Sequence, residues 1–397
     1  MGSPRVTFDR EAIQFRTWLE AKGYSAERTG RHARRLARAL QILPQKQRHH
    51  AVSQLTSAFD KRIANGAQRR GCRATQRLFK AYLTAHERLA VPTITGRFAV
   101  LREGYHRELL QVRGLSKSSV TFHNATVADF LRRGLRSGQA LRTLSRAQID
   151  GYVALKASEN TRRSLQHVVG VMRSFLEYCC DRGYVSRAPY SIDTPRVYRE
   201  EMLPRALAWV DVQRLLKSID RSCVLGERDY VMFHLMAHYG LRPAEITSLR
   251  VDAINWREKT LQVDQCKTRS VLVVPLAART IQILRRYLRG ARGGDASQRA
   301  HLFLRMQCPR GPLKSMSLAD RFDAYAQKCG LSGYSTYSLR HGFAVRLLAR
   351  GVGVKAIGDV LGHRSLESTF TYLRLDVDSL RQVALEIPRR SPGSHDA

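Results

Sequence analysis

Residues 238–246 read HYGLRPAEI. Gly240 suits the left-handed turn that ends a helix, and Pro243 suits the first position of the next one. Arg242, between them, is therefore expected at a helix N-terminus, where the peptide dipoles favour an anion. Glu245, one turn further on, can hold that guanidinium by a salt bridge. Upstream, apolar spacing predicts helices over 208–218 and 227–239. Downstream, Leu261–Gln265 and Val271–Leu276 alternate or run apolar around Thr268-Arg269-Ser270, which reads as a hairpin with Lys267 at its turn. A helix over 278–288 and a Gly-rich loop at 290–297 follow. The remainder reads as helical, apart from short turns at 330–336 and 351–353. The fold class is thus mainly α with a small β-hairpin (α+β).

Three further motifs lie in this region. YSLRHGFA spans 337–344 and carries Arg340 and His341. In LGHRS, Gly362 is expected to cap a helix over 354–361 and to expose His363 in the turn. Ser365 can then N-cap the short helix that presents Tyr372 in STFTYLR. Taken singly, each residue has a plain structural reading: a solvated arginine, a turn histidine, a tyrosine at a core edge. Taken as an ordered set they suit one reaction. Two guanidiniums, an ammonium and an imidazole can surround a phosphodiester, and a tyrosine hydroxyl can attack it reversibly. No set of residues resembles a metal cage, so neither metal nor other cofactor is expected.

At these residues the chain resembles the tyrosine recombinase (phage integrase) family. The resemblance covers roughly residues 205–387 and implies a catalytic domain there. It makes Tyr372 the nucleophile, Arg242, Arg340 and His363 phosphate ligands, Lys267 the general acid and Glu245 the supporting acidic residue. One position departs from the family pattern: the residue three before Arg340, usually His, is Tyr337. A tyrosine accepts protons poorly near neutrality, so the base for Tyr372 is left open, with His341 as a substitute. The resemblance further implies strand cleavage and rejoining through a 3′-phosphotyrosine link without ATP. The implied partners are double-stranded DNA and further copies of the chain, as a tetramer on two sites, with other recombinases of the same element as further candidates. An apolar stripe at Leu380, Val383, Ala384 and Ile387 suits either docking at home or exchange with a neighbouring copy. Two rival readings are a catalytically decayed DNA-binding accessory protein and a helix-turn-helix regulator built on 345–361.

The N-terminal half is also helical. A resemblance to the family's SAM-like core-binding domain covers 97–190, and a Pro-containing linker spans 188–204. Residues 1–92 form an extension read as an arm-type DNA-binding module or as an extra part of the clamp. Phe15, Trp18, Leu19, Gly23, Leu36 and Leu40 have counterparts 91 residues later at His106, Leu109, Leu110, Gly114, Val127 and Leu131. That spacing suggests a duplicated unit, though any helix–Gly–helix segment reads similarly. Ser145 is an N-cap candidate, and a long helix is expected over 161–180. The tail 388–397 is expected to be disordered.

Bulk composition agrees with a nucleic-acid partner. The 397 residues include 68 Lys and Arg against 33 Asp and Glu, a net charge of +35. A surplus that large points to a polyanion, because neutralised phosphates release counterions. The seven cysteines make no CxxC pair, which argues against a zinc site or a disulfide framework. With no apolar leader and no long apolar stretch, a cytoplasmic protein without membrane attachment is expected.

Overall fold

The computed structural model describes residues 4–41, 52–64, 68–88, 96–185, 192–193, 204–265, 267–268, 270–292, 300–308, 310–363 and 365–375. The linker 188–204 (apart from 192, 193 and 204), the stripe at 380–387 and the tail 388–397 lie outside the described residues. The chain divides into two compact units, Met1–Phe15 with Arg31–Glu201 and Arg16–Gly30 with Met202–Ala397. No described helix is long and apolar enough to cross a membrane.

The N-terminal half comprises α1 (Pro4–Ala21), α2 (Ala26–Leu40), α3 (Val52–Ala64) and α4 (Arg69–Ala85), then α5 (Ala99–Arg107), α6 (Lys117–Arg133), α7 (Arg146–Glu159) and α8 (Arg162–Asp181). The N-cap expected at Ser145 is present, and Thr161, read as the first residue of the long helix, is its N-cap. Ser145 forms a capping box with Gln148, and Thr161 accepts from the Ser164 amide. The later four helices enclose one core around Tyr105, Leu109, Phe130, Ile149, Met172 and Phe175. Sequence spacing alone misses α3, whose buried apolar residues among those described are Leu55, Ala58 and Phe59. It also misplaces one register. A π turn, Glu108–Val112, continues α5 and inserts an extra residue. Leu109 is consequently buried, while Leu110 is 38% exposed. The counterparts of Phe15 and Leu19 are therefore Tyr105 and Leu109, not His106 and Leu110.

In the second unit α9 (Trp209–Lys217), α10 (Val224–Tyr239) and α11 (Pro243–Ser248) lead into an antiparallel sheet. Its strands β1 (Ile254–Asn255), β2 (Thr260–Gln265) and β3 (Ser270–Pro275) lie in the order β1-β2-β3. The expected hairpin is present with Leu261 opposite Val274 and Val263 opposite Leu272, and β1 adds a strand beyond it. Leu261, Val263 and Gln265 turn inward and alternate with exposed neighbours. Beyond α12 (Ala278–Arg289) the described residues 300–308 and 310–313 are extended, not helical as the periodicity implied. Isolated bridges join Arg250 to His301 and Leu304 to Pro312, and the Leu302 amide donates to Leu249 O at 2.7 Å. Tertiary pairing outweighs local preference there. The helices α13 (Ser315–Lys328), α14 (Thr336–Leu348), α15 (Val354–Leu361) and α16 (Glu367–Phe370) complete the unit.

Almost every side chain of α10 is buried, so this helix is the axis of the unit. Its buried Asp229 accepts from Arg228 and from Arg321 of α13 (2.6 Å), so this core carboxylate is paired.

Candidate active site

Two left-handed glycines frame the site. Gly240 ends α10 at φ 65° and Gly362 ends α15 at φ 61°, so each helix stops abruptly with its last carbonyls unpaired by further turns. The two arginines use those carbonyls. Arg340, on α14 and 3% exposed, donates from Nη1 to Gly240 O (2.7 Å) and from Nη2 to Leu361 O (2.5 Å). Arg242 donates from Nη2 to Gly362 O at 3.0 Å. A guanidinium carries five N–H donors, so anchoring Arg340 through two leaves others to face an incoming anion.

Glu245 fastens the pair. Its Oε2 accepts the Arg242 amide at 2.7 Å and its Oε1 accepts from Arg242 Nη1 at 2.5 Å, while Arg340 Nη1 lies 4.0 Å from Oε2. Pro243 occupies the first position of α11, as its place in the sequence implied. Burial and the neighbouring Arg242 push the Arg340 guanidinium down to about 10, against the pull of Glu245. It still carries its charge at neutral pH.

Tyr372 follows α16 instead of lying within it: that helix is a single turn whose N-cap is Leu366, not Ser365 as expected, and Ser365 Oγ accepts the Glu367 amide from one residue earlier. The Tyr372 ring is 4% exposed and packs with Phe343, Ala344, Ile357 and Leu361. Burial raises its hydroxyl above the ordinary phenol range, and Arg340 and Arg242 oppose the rise. Its Oη lies 2.9 Å from His341 Nδ1. Burial, with Arg340 alongside, pushes His341 down to about 4, so its imidazole is neutral near pH 7. His363 stacks on the same phenol ring, with centroids 6.4 Å apart and planes 12° from parallel. Burial and then the cations Arg340 and Arg242 push it down to about 4 as well.

Lys267 is exposed at the turn between β2 and β3, and its charge adds to the depression of His363. Tyr337 stands one turn before Arg340 and is 49% exposed. The fold thus gathers Arg242, Glu245, Arg340, His341, His363 and Tyr372 in one place, with Lys267 at its edge and Tyr337 on the open side of α14.

Two residues were missed from sequence. Thr369 Oγ1 lies 2.7 Å from His363 Nδ1, and no motif marks that pairing. Buried Gln265 accepts from the hydroxyls of Thr268 and Ser270 through Oε1, and a Cβ on Gly362 would meet that oxygen at 1.9 Å. Its place as the last inward residue of β2 was the available signal.

The arrangement is an anion seat made of two pre-anchored guanidiniums, with a phenol hydroxyl in its wall. The phage integrase family model matches residues 206–378. A putative integrase/recombinase of Sinorhizobium fredii, y4rA, is 33% identical over 291 residues, which cover 72% of this chain and 70% of that protein. The tyrosine recombinase XerD of Listeria monocytogenes is 27% identical over 71% of this chain and 96% of its own. Among solved structures, a lambda integrase dimer bound to a core site shares the fold (TM-score 0.55, 17% identity, 69% of this chain and 94% of that one). The Tn1549 transposon integrase with transposon right end DNA does so as well (TM-score 0.56, 15% identity, 71% and 99%). The chain belongs to the phage integrase family and is a tyrosine recombinase, an enzyme of site-specific DNA strand breakage and rejoining.

Proposed function

We propose that this recombinase acts through Tyr372, with its Oη attacking a DNA phosphorus to form a 3′-phosphotyrosine link and expelling the 5′ oxygen. The observation that carries this is the 2.9 Å contact of Tyr372 Oη with His341 Nδ1, beside two arginines already seated on helix-terminal carbonyls. Arg340 and Arg242 bind the non-bridging oxygens, whose charge grows in the transition state; fixed donors aimed there are worth several kcal/mol of barrier. His363 joins them. With Thr369 donating to Nδ1, its Nε2 carries the proton and can donate to phosphate.

His341 receives the phenol proton. As a free imidazole with depressed basicity it is a weak base, but an arriving phosphate anion favours its protonated form. Burial keeps Tyr372 protonated until then, so the nucleophile is activated by substrate. Tyr337, exposed on α14, contributes a hydrogen bond to phosphate and no more. Lys267 protonates the leaving 5′ oxygen from the turn between β2 and β3.

The substrate is double-stranded DNA. The +35 charge supports that, as does family membership. Assembly follows the family scheme, four copies on two sites; a lambda integrase tetramer on a Holliday junction has the same fold (TM-score 0.55, 17% identity). By the same relationship the chain serves a mobile element. Residues 205–387 form the catalytic domain and 97–190 the core-binding domain, joined through 188–204.

The test is Lys267→Ala on two substrates. Normal DNA should be cleaved at least tenfold more slowly, whereas DNA with a 5′-bridging phosphorothiolate should be cleaved nearly as fast as by the wild type, since sulfur leaves unprotonated. Equal slowing on both would reduce Lys267 to a phosphate contact.

A further inference from the structure

We propose that residues 4–88 are a second copy of the four-helix unit at 99–184, and that this copy binds duplex DNA through α2 and the start of α4. The DNA-binding half of the proposal rests on the recombinase reading above; the duplication does not.

The evidence for duplication is a set of matched particulars. Helices α1 to α4 correspond in order to α5 to α8. Phe15 meets Phe79 and Tyr82 with ring centroids 5.4 and 5.6 Å apart; Tyr105 meets Phe175 and Tyr178 at 5.2 and 5.3 Å. Those pairs are related by 90 residues in the first helix and 96 in the fourth. Leu36, Ala39 and Leu40 are buried, as are Val127, Phe130 and Leu131, 91 positions later. The turns match too. Gly23 and Gly114 are both left-handed, and so are Glu87 and Gly183. After the fourth helix the Arg88 amide donates to Leu83 O, and after the eighth the Tyr184 amide donates to Cys179 O, each at 2.8 Å. Residue 87 is one of only two described non-glycine residues with positive φ, a conformation unfavourable for glutamate and retained because the helix end requires it.

The two copies differ in one surface. In the second, an open groove of about 720 Å³ runs between α6 and α8, lined by Phe122, His123, Ser164, Gln166 and His167 among others. The matching positions in the first copy are Arg31, His32, Gln68, Arg70 and Gly71. These also lie side by side: Arg35 Nη2 donates to Gln68 Oε1 at 3.1 Å, and His32 Nδ1 is 2.8 Å from Thr75 Oγ1. Arg31 and Arg70 are exposed. Residues 4–88 carry 19 Lys and Arg against 6 Asp and Glu; residues 99–184 carry 14 against 7. The copy that carries guanidiniums in place of one groove amide, Gln166, and one aromatic, Phe122, is thus the more basic one. Its partner is a repeated phosphate array, read without base specificity.

The test uses the full chain and a duplex selected with it from a random pool. Arg31→Gln with Arg70→Gln should make the plot of log affinity against log salt shallower by about 1.8, because two phosphate contacts are lost. The hydroxyl-radical footprint should shorten at one end, while phosphotyrosine formation on bound DNA persists. Arg31→Lys with Arg70→Lys should restore the salt slope, which a folding defect would not allow. An unchanged slope and footprint in the Gln variant, with adduct still formed, would overturn this inference alone. A wild-type chain that protects no DNA would overturn the recombinase reading and this one with it.

Discussion

Arg340 anchors two helix ends and, in the proposed mechanism, binds phosphate with the same side chain. Its fork closes two helix ends at Gly240 O and Leu361 O, both inside the protein. A lysine keeps the charge but cannot span both carbonyls in that plane. Arg340→Lys should therefore leave a buried carbonyl unpaired, costing about 1–3 kcal/mol of stability, and slow cleavage by roughly 10²-fold or more; thermal melting and single-turnover cleavage measure the two. A variant that cleaves at the wild-type rate would show that the fork is not aimed at phosphate. The second prediction at this scale concerns pH. His341 is pushed down to about 4 in the free protein, so it is neutral, and able to accept a proton, at all pH values well above that. The second-order rate constant for cleavage, which reports free-enzyme groups, should stay flat from pH 7 down to pH 5. A decline centred near 6.5 would mean that an ordinary imidazole is the base. His341→Gln should keep DNA affinity and lose most of the cleavage rate.

At the scale of elements the site is the meeting of two glycine turns and a hairpin. Gly362 at φ 61° leaves no room for a side chain, since an added Cβ would meet Gln265 Oε1 at 1.9 Å. Gly362→Ala should combine backbone strain of roughly 1 kcal/mol or more with displacement of the residue that steadies the turn carrying Lys267. The expected result is a lower melting temperature and slower cleavage together; unchanged melting would contradict the packing described. Much of this level was legible in advance. Gly240, Pro243 and Gly362 mark their turns because backbone conformation is a local property, and the alternation of β2 announces a half-buried strand. What stayed hidden is long-range. Nothing near Thr369 signals that it faces His363; His341, beside Arg340, could be offered as a base for Tyr372, 31 residues on, but no local feature placed the two in contact. The extended course of 300–308 and the short β1 depend on neighbours remote in sequence. The π turn at 108–112 shifts a register by one residue, below the resolution of any spacing argument.

For the whole molecule, charge and chemistry pull in the same direction. In the proposed mechanism a +35 chain holds DNA by counterion release, and the cations Arg242, Arg340 and Lys267 supply the charge that a divalent metal would otherwise bring. Cleavage should accordingly proceed in EDTA at the rate seen with Mg²⁺ once binding is saturated, and a strict metal requirement for the chemical step would contradict that assignment. The central claim is the covalent role of Tyr372, and other tyrosines, including exposed Tyr337, offer a rival nucleophile. Trapping the full chain on a nicked substrate that cannot religate, then digesting and sequencing the DNA-linked peptide, tests it most directly. The account predicts a 3′-phosphotyrosine at Tyr372, and no adduct from Tyr372→Phe even though that variant binds the same DNA. An adduct mapped to Tyr337, or formed at wild-type yield by Tyr372→Phe, would contradict it.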